Sequence, residues 1–412
     1  MKSQYKHSLL IIIGLFLFLS SSCNGLPVSI FPTSTDTALP PTITLSPTIT
    51  LTATPRPPTI TPPPPTVTPT PTSSPTITPP SPVKTGFPSR SLVITAHNID
   101  LLEILSQLQV DAEDLSAGAL AFSPAGDTLG FASDYGELNM WKVATGVLSY
   151  TLTTAEEEQG VPNPDLAFAP PVGQFLAANG NAFLNEYGEY WGVVRQWNLP
   201  AEGLFPLVFP GNSHWEKSGV TYTPDGQRLV VSAREGMGGG GSVTVSDVFT
   251  GTLILDIPTE DWITDVTVSP DGGTIAGTSY AAVIKWDSET GEQEIAFSVG
   301  DGPLWGLEYS PIGRTIAAWG GMTVYILDQF KGDVISEFDG EAEIADATFS
   351  PNGRMLISAD GTTIRIWDVT SYQLVSTLEM PAPVLAVAIS PDGRIFVSAT
   401  NDGLIYLWGI NP

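Results

Sequence analysis

The chain has 412 residues, 42% of them apolar and 14% charged, with a formal net charge of −27. That is enough apolar material for a real core in one large or several small domains. The acidic field repels phosphate backbones and anionic lipid surfaces, which excludes nucleic acid as a partner, and it favours cations, basic partners and solubility. Its plainest use is the solvation of an extracellular surface.

The N-terminus reads as an address. Lys2, Lys6 and His7 are followed by the apolar run 9–19 (LLIIIGLFLFL), then Ser20, Ser21, Ser22 and Cys23. This is the layout of a secretory signal, and the run is shorter than the roughly 20 residues a spanning helix needs. Cys23 is the only cysteine, so an intramolecular disulfide and a Cys-cluster metal site are excluded. Its place after small residues resembles a bacterial lipobox, with Leu19 four residues before the cysteine rather than three. The resemblance implies lipid attachment at Cys23. An ordinary cleaved signal, giving a secreted protein, and an uncleaved anchor are the other readings.

Residues 24–90 hold 19 of the 37 prolines, mostly in Thr-Pro and Pro-Thr steps. Proline removes amide donors and fixes φ, so neither helix nor sheet propagates. The composition predicts a disordered Pro/Thr-rich linker, a stalk that at roughly 3.1 Å per residue reaches on the order of 200 Å.

Beyond residue 110 the chain repeats. Turn anchors of the type Ser-Pro-Asp-Gly recur with prolines at 124, 170, 224, 270, 311, 351 and 391. Proline presets φ at the first central turn position, and glycine accepts the positive φ that closes the turn. A second landmark follows in each copy at Trp141, Trp197, Ser246, Trp286, Leu327, Trp367 or Trp408, usually with Asp next, as in Trp367-Asp368. In 344–380 four strand-sized runs are separated by Pro351-Asn352-Gly353, Asp360-Gly361 and Thr370-Ser371, which predicts a four-stranded antiparallel sheet. One such sheet cannot bury both faces alone, so it needs neighbouring copies.

On these motifs, 91–412 resembles the WD40-repeat β-propeller family. No Gly-His dipeptide opens any repeat, and the tryptophan is Ser246 or Leu327 in two copies. The resemblance implies an all-β fold, a seven-bladed propeller of four-stranded antiparallel blades, each with strands a to d from the axis outward. Only six copies supply a strand d. The apolar run 99–108 (IDLLEILSQL) fits the gap and is expected to pair with the last blade and close the ring.

In such a ring the a–b and c–d turns share one face, and the b–c and d–a loops the other. The long insertions fall on the second face at blades two and three. They are the d–a segment 153–165 with Glu156 and Glu157, the b–c segment 179–192 with Tyr187, Tyr190 and Trp191, the d–a segment 210–218 with His214 and Trp215, and the b–c segment 234–241. Aromatic groups beside acids on loops suit a protein or carbohydrate partner. Trp262, Trp305 and Trp319 occupy loop positions in later blades, where local packing is the plainer reading. Asp265 and Asp346 both precede an anchor serine by four residues; of two readings, channel-facing groups or solvated strand ends, the second is preferred.

Catalytic signatures are weak. The run 236–241 contains G-x-G-x-x-G, but Ser242 to Val245 after it reads as a strand, where a dinucleotide site needs a helix. His97 and His214 are the only histidines past the signal, too few for a zinc cluster. No G-x-S-x-G elbow and no calcium loop occur. The expectation is therefore three segments: a signal over 1–23, a stalk over 24–90 and a propeller over 91–412. The chain is read as a lipid-anchored, extracytoplasmic bacterial surface protein, a monomer without cofactor or metal, touching the membrane only through its anchor. It is read as a non-catalytic scaffold for a protein partner, for which the acidic field favours a basic one. A metal-dependent or lactonase-like propeller enzyme and a carbohydrate-binding module are the alternatives.

Overall fold

A computed structural model describes residues 91–411 apart from 111–114, 154–163, 172, 174, 185–189, 200–206, 210–214 and 236–239. The expectations for the signal, Cys23 and the stalk lie outside these residues.

The described strands form seven four-stranded antiparallel sheets. Strand a of each sheet packs on strand a of the next, and that of the seventh packs on that of the first, so the sheets close into a ring. Blade six, the most regular repeat, has strands Ile344–Phe349, Met355–Asp360, Thr363–Asp368 and Gln373–Glu379. Its turns follow from its side chains. Ser350 Oγ donates to Asn352 Oδ1 at 2.9 Å and accepts the Met355 N–H at 2.9 Å. Asp368 Oδ1 accepts the N–H groups of Thr370 and Ser371 at 2.7 and 3.1 Å. The acid of the Trp-Asp pair thus closes the c–d turn, and Asp247, Asp287 and Asp328 do the same in blades three, four and five.

The core lies between blades rather than inside any one of them. Seven clusters of buried apolar side chains each join two neighbouring sheets. Between blades five and six, Phe338 stacks on Trp367 with ring centroids 4.6 Å apart and planes 2° from parallel. Trp367 Nε1 donates to Ser358 Oγ at 2.9 Å, so the indole is buried without an unpaired donor.

Closure occurs as the strand count requires. Glu103–Gln109 pairs antiparallel with Leu404–Gly409, from Glu103 opposite Gly409 to Gln109 opposite Leu404. The start of the expected run is instead a 3-10 turn, Ile99–Leu101. Before it, the Leu92 N–H bonds to Ile410 O at 3.0 Å, the Ile94 N–H bonds to Gly393 O at 2.8 Å, and Arg394 donates to Ser91 O at 2.9 Å. The chain therefore enters the propeller beside the a–b turn of blade seven.

Two expected loops are corrected. The b–c segment of blade two is an extension of its strands: Phe175–Leu184 pairs with Tyr190–Asn198 as far as Leu184 opposite Tyr190. In blade three, strand a already starts at Trp215, opposite Glu235. Cross-strand pairing continues through both insertions, so the strands lengthen where a loop was expected.

Candidate functional site

Strand a of every blade borders the axis, and its inward residues surround a cavity of about 770 Å³. The cavity lies in the half of the channel nearer the d–a and b–c loops, since it reaches Ser116, Trp305, Glu343 and Gly361 but none of the anchor serines.

Carboxylates dominate its wall. Asp165, Asp265 and Asp346 each stand four residues before a turn anchor, in blades two, four and six. The same position in blades one, three, five and seven holds Ala119, Gly219, Gly306 and Ala386. Each Asp makes the same pair of bonds. One oxygen accepts the N–H of the following residue, at 2.8 Å from Leu166, 2.7 Å from Val266 and 2.8 Å from Ala347. The other reaches the next blade, at 2.6 Å from Val220, 3.0 Å from Leu307 and 2.9 Å from Val387. Those three donor positions directly follow Gly219, Gly306 and Ala386. Small residues there leave room: a Cβ on Gly219 would lie 2.5 Å from Asp265 Oδ1. Glu308, two residues before its anchor, makes a similar staple one step along the channel and accepts the Phe349 N–H at 2.9 Å.

Asp265 and Asp346 are thus channel groups, which corrects the preferred reading of them as solvated strand ends. They are half-buried, open to the channel but ringed by protein. Enclosure raises Asp165 to about 7, against the pull of its bonds from Val220 and Leu166. It raises Asp346 to about 7 and Glu308 to about 8 in the same way. Asp265 is pushed well above the usual carboxylate range by burial first, and then by the charges of Asp165 and Asp346. Among the described residues no three His, Cys, Asp or Glu side chains converge to hold a metal ion.

The other sequence-derived site residues fall as follows. Glu156, Glu157, Tyr187 and His214 lie outside the described residues. Tyr190 and Trp191 are placed by their backbone on strand c of blade two, opposite Leu184 and Phe183, and Trp215 opens strand a of blade three. Trp305 lines the channel mouth and is 48% exposed, so it is not simply packed away. Trp319, expected in a loop, is buried on strand b of blade five, with its ring under Gly306. Asp165 and Glu308 were missed by sequence reasoning. Asp165 has the diagnostic spacing, but its anchor begins with Ala169 in place of serine. Glu308 shares the inward face through the period of two.

A family model described as WD domain, G-beta repeat matches residues 332–368 and 372–409. These segments cover the c–d end of blade five with most of blade six, and most of blade seven. No curated protein matches the chain. With two repeats matched in sequence and seven four-stranded blades closed by the strand before the first of them, this chain is a WD40-repeat β-propeller protein.

Proposed function

We propose that this protein is a non-catalytic scaffold that binds another protein on the d–a and b–c face of its propeller. It is carried outside the cell on the Thr/Pro stalk and anchored through lipid on Cys23. The observation that carries the reading is the build of that face at blades two and three. There the b–c hairpin of blade two runs to strands of 10 and 9 residues, against 6 and 6 in blade six. Tyr190 and Trp191 stand on the lengthened strand c of blade two and Trp215 opens strand a of blade three, residue types of the kind that concentrate binding energy. The contact set is completed by Glu156, Glu157, Tyr187 and His214. The bonding of the channel carboxylates supports a structural role for them, because Asp165, Asp265 and Asp346 each spend both oxygens on backbone N–H groups.

The test is crosslinking capture from cell envelopes with the full chain as bait, beside a bait carrying Tyr190→Ala, Trp191→Ala and Trp215→Ala. Capture of a specific protein that the triple variant loses supports the reading. Capture by both baits removes the site from blades two and three. Capture by neither contradicts the scaffold.

A further inference from the structure

The two faces of the propeller differ in charge. Of the eleven basic residues after position 90, six sit on the a–b and c–d face: Lys142, Arg228, Arg314, Lys331, Arg354 and Arg394. Lys217 and Arg234 are the two at strand ends on the opposite face, both on blade three. That opposite face collects acids in successive d–a loops: Glu260 and Asp261 before blade four, Asp301 before blade five, Glu341 and Glu343 before blade six. Arg365 is buried and pairs with Asp360 and Glu341, so it offsets Glu341 but not Glu343 or the acids before blades four and five.

Exposed aromatic side chains lie among these acids. Tyr280, in the b–c turn of blade four, is 66% exposed, and Trp262 and Trp305, in the d–a segments entering blades four and five, are 45% and 48% exposed. Their backbones are tied into one neighbourhood. The Leu304 N–H bonds to Tyr280 O at 3.1 Å, Thr264 Oγ1 donates to Leu304 O at 2.8 Å, and the Trp305 N–H bonds to Trp319 O at 2.7 Å. Glu343 and Trp305 both line the cavity, with Asp265, Glu308 and Asp346 below them. The first described residues pair on the other face, where the Ile94 N–H bonds to Gly393 O at 2.8 Å.

We infer that the channel mouth at blades four to six is a docking surface for a cationic, Lys- or Arg-bearing segment of a protein partner. Aromatic faces beside carboxylates attract guanidinium and ammonium groups by cation–π and ion-pair contacts together, and the acidic face steers such a segment inward. The inference rests on the scaffold reading and gives it a partner class and a second contact area on the same face.

The probe is a fluorescein-labelled octa-arginine peptide, titrated by anisotropy against the full chain at physiological salt, with octa-glutamate as the control. The variants are Trp305→Ala, Glu343→Gln and, on the opposite face, Phe330→Ala, which removes a side chain 73% exposed. All three side chains are exposed, and an unchanged melting temperature confirms that each variant folds. The expected result is saturable binding of octa-arginine alone, weakened by about fivefold or more in Trp305→Ala and Glu343→Gln and unchanged in Phe330→Ala. Equal binding by all three variants, which would mean unspecific attraction to an acidic protein, overturns the inference, as does no binding. If envelope capture yields a partner while octa-arginine fails to bind, the scaffold reading stands and the cationic segment does not. If octa-arginine binds as expected and capture yields no protein, the scaffold reading is what falls.

Discussion

Asp265 shows how much one side chain carries in this ring. Its carboxylate closes two backbone N–H groups on two blades, Val266 and Leu307, so Asp265→Ala leaves both donors facing the channel. The expected cost is about 1–3 kcal/mol, read from urea unfolding. Gly219→Ala should destabilise too, because the added Cβ meets both Asp265 Oδ1 and the Val266 backbone. The channel acids also set a pH dependence. Asp165 and Asp346 are raised to about 7 and Glu308 to about 8, so the folded chain holds protons that the unfolded chain has released. Their stabilisation is complete below about pH 4 and is lost as pH rises through 7 and 8. The melting temperature should therefore fall between pH 5.5 and 8.5. A variant with Asp165→Asn, Asp346→Asn and Glu308→Gln should flatten that fall; a slope unchanged in the variant would assign it elsewhere. At the blade interfaces, Trp367→Ala removes the partner of Phe338 and leaves a cavity, at an expected cost of about 3–5 kcal/mol.

At the scale of elements, the closing strand matters most. Deleting residues 103–109 exposes the edge of Leu404–Gly409 and uncovers part of the cluster formed by Leu108, Val397 and Leu407. The melting temperature should drop by about 5 °C or more, and an unchanged value would mean that the ring holds without its closure. Blades were legible in the sequence because each turn is specified locally: Ser-Pro-Asp-Gly and Trp-Asp carry their own hydrogen bonds, as at Ser269 with Asp271 and Asp287 with Thr290. The closing strand was legible from counting alone, since six strands d leave one place empty. The blade-two insertion was misread because Asn179, Gly180 and Asn181 look like a turn, whereas cross-strand pairing carries the ladder through them. The channel staples were only half legible. Spacing marked Asp265 and Asp346, but the N–H donors they accept from, Leu307 and Val387, lie 42 and 41 residues onward in the neighbouring blade, and a single strand's pattern does not reveal an inter-blade bond.

For the whole molecule, the account joins three features: acids and exposed aromatics around one channel mouth, most basic residues on the opposite face, and described residues that begin beside the a–b turn of blade seven. Together they set the proposed binding surface on the d–a and b–c face. Hydrogen–deuterium exchange of the full chain, with and without the partner captured from envelopes, tests this most directly. The account predicts slowed exchange in the blade-two hairpin around 183–191 and in the d–a segments 260–264 and 300–305, with none at the c–d turns 247–251 and 328–332. Protection confined to those c–d turns, or spread evenly over both faces, would contradict it.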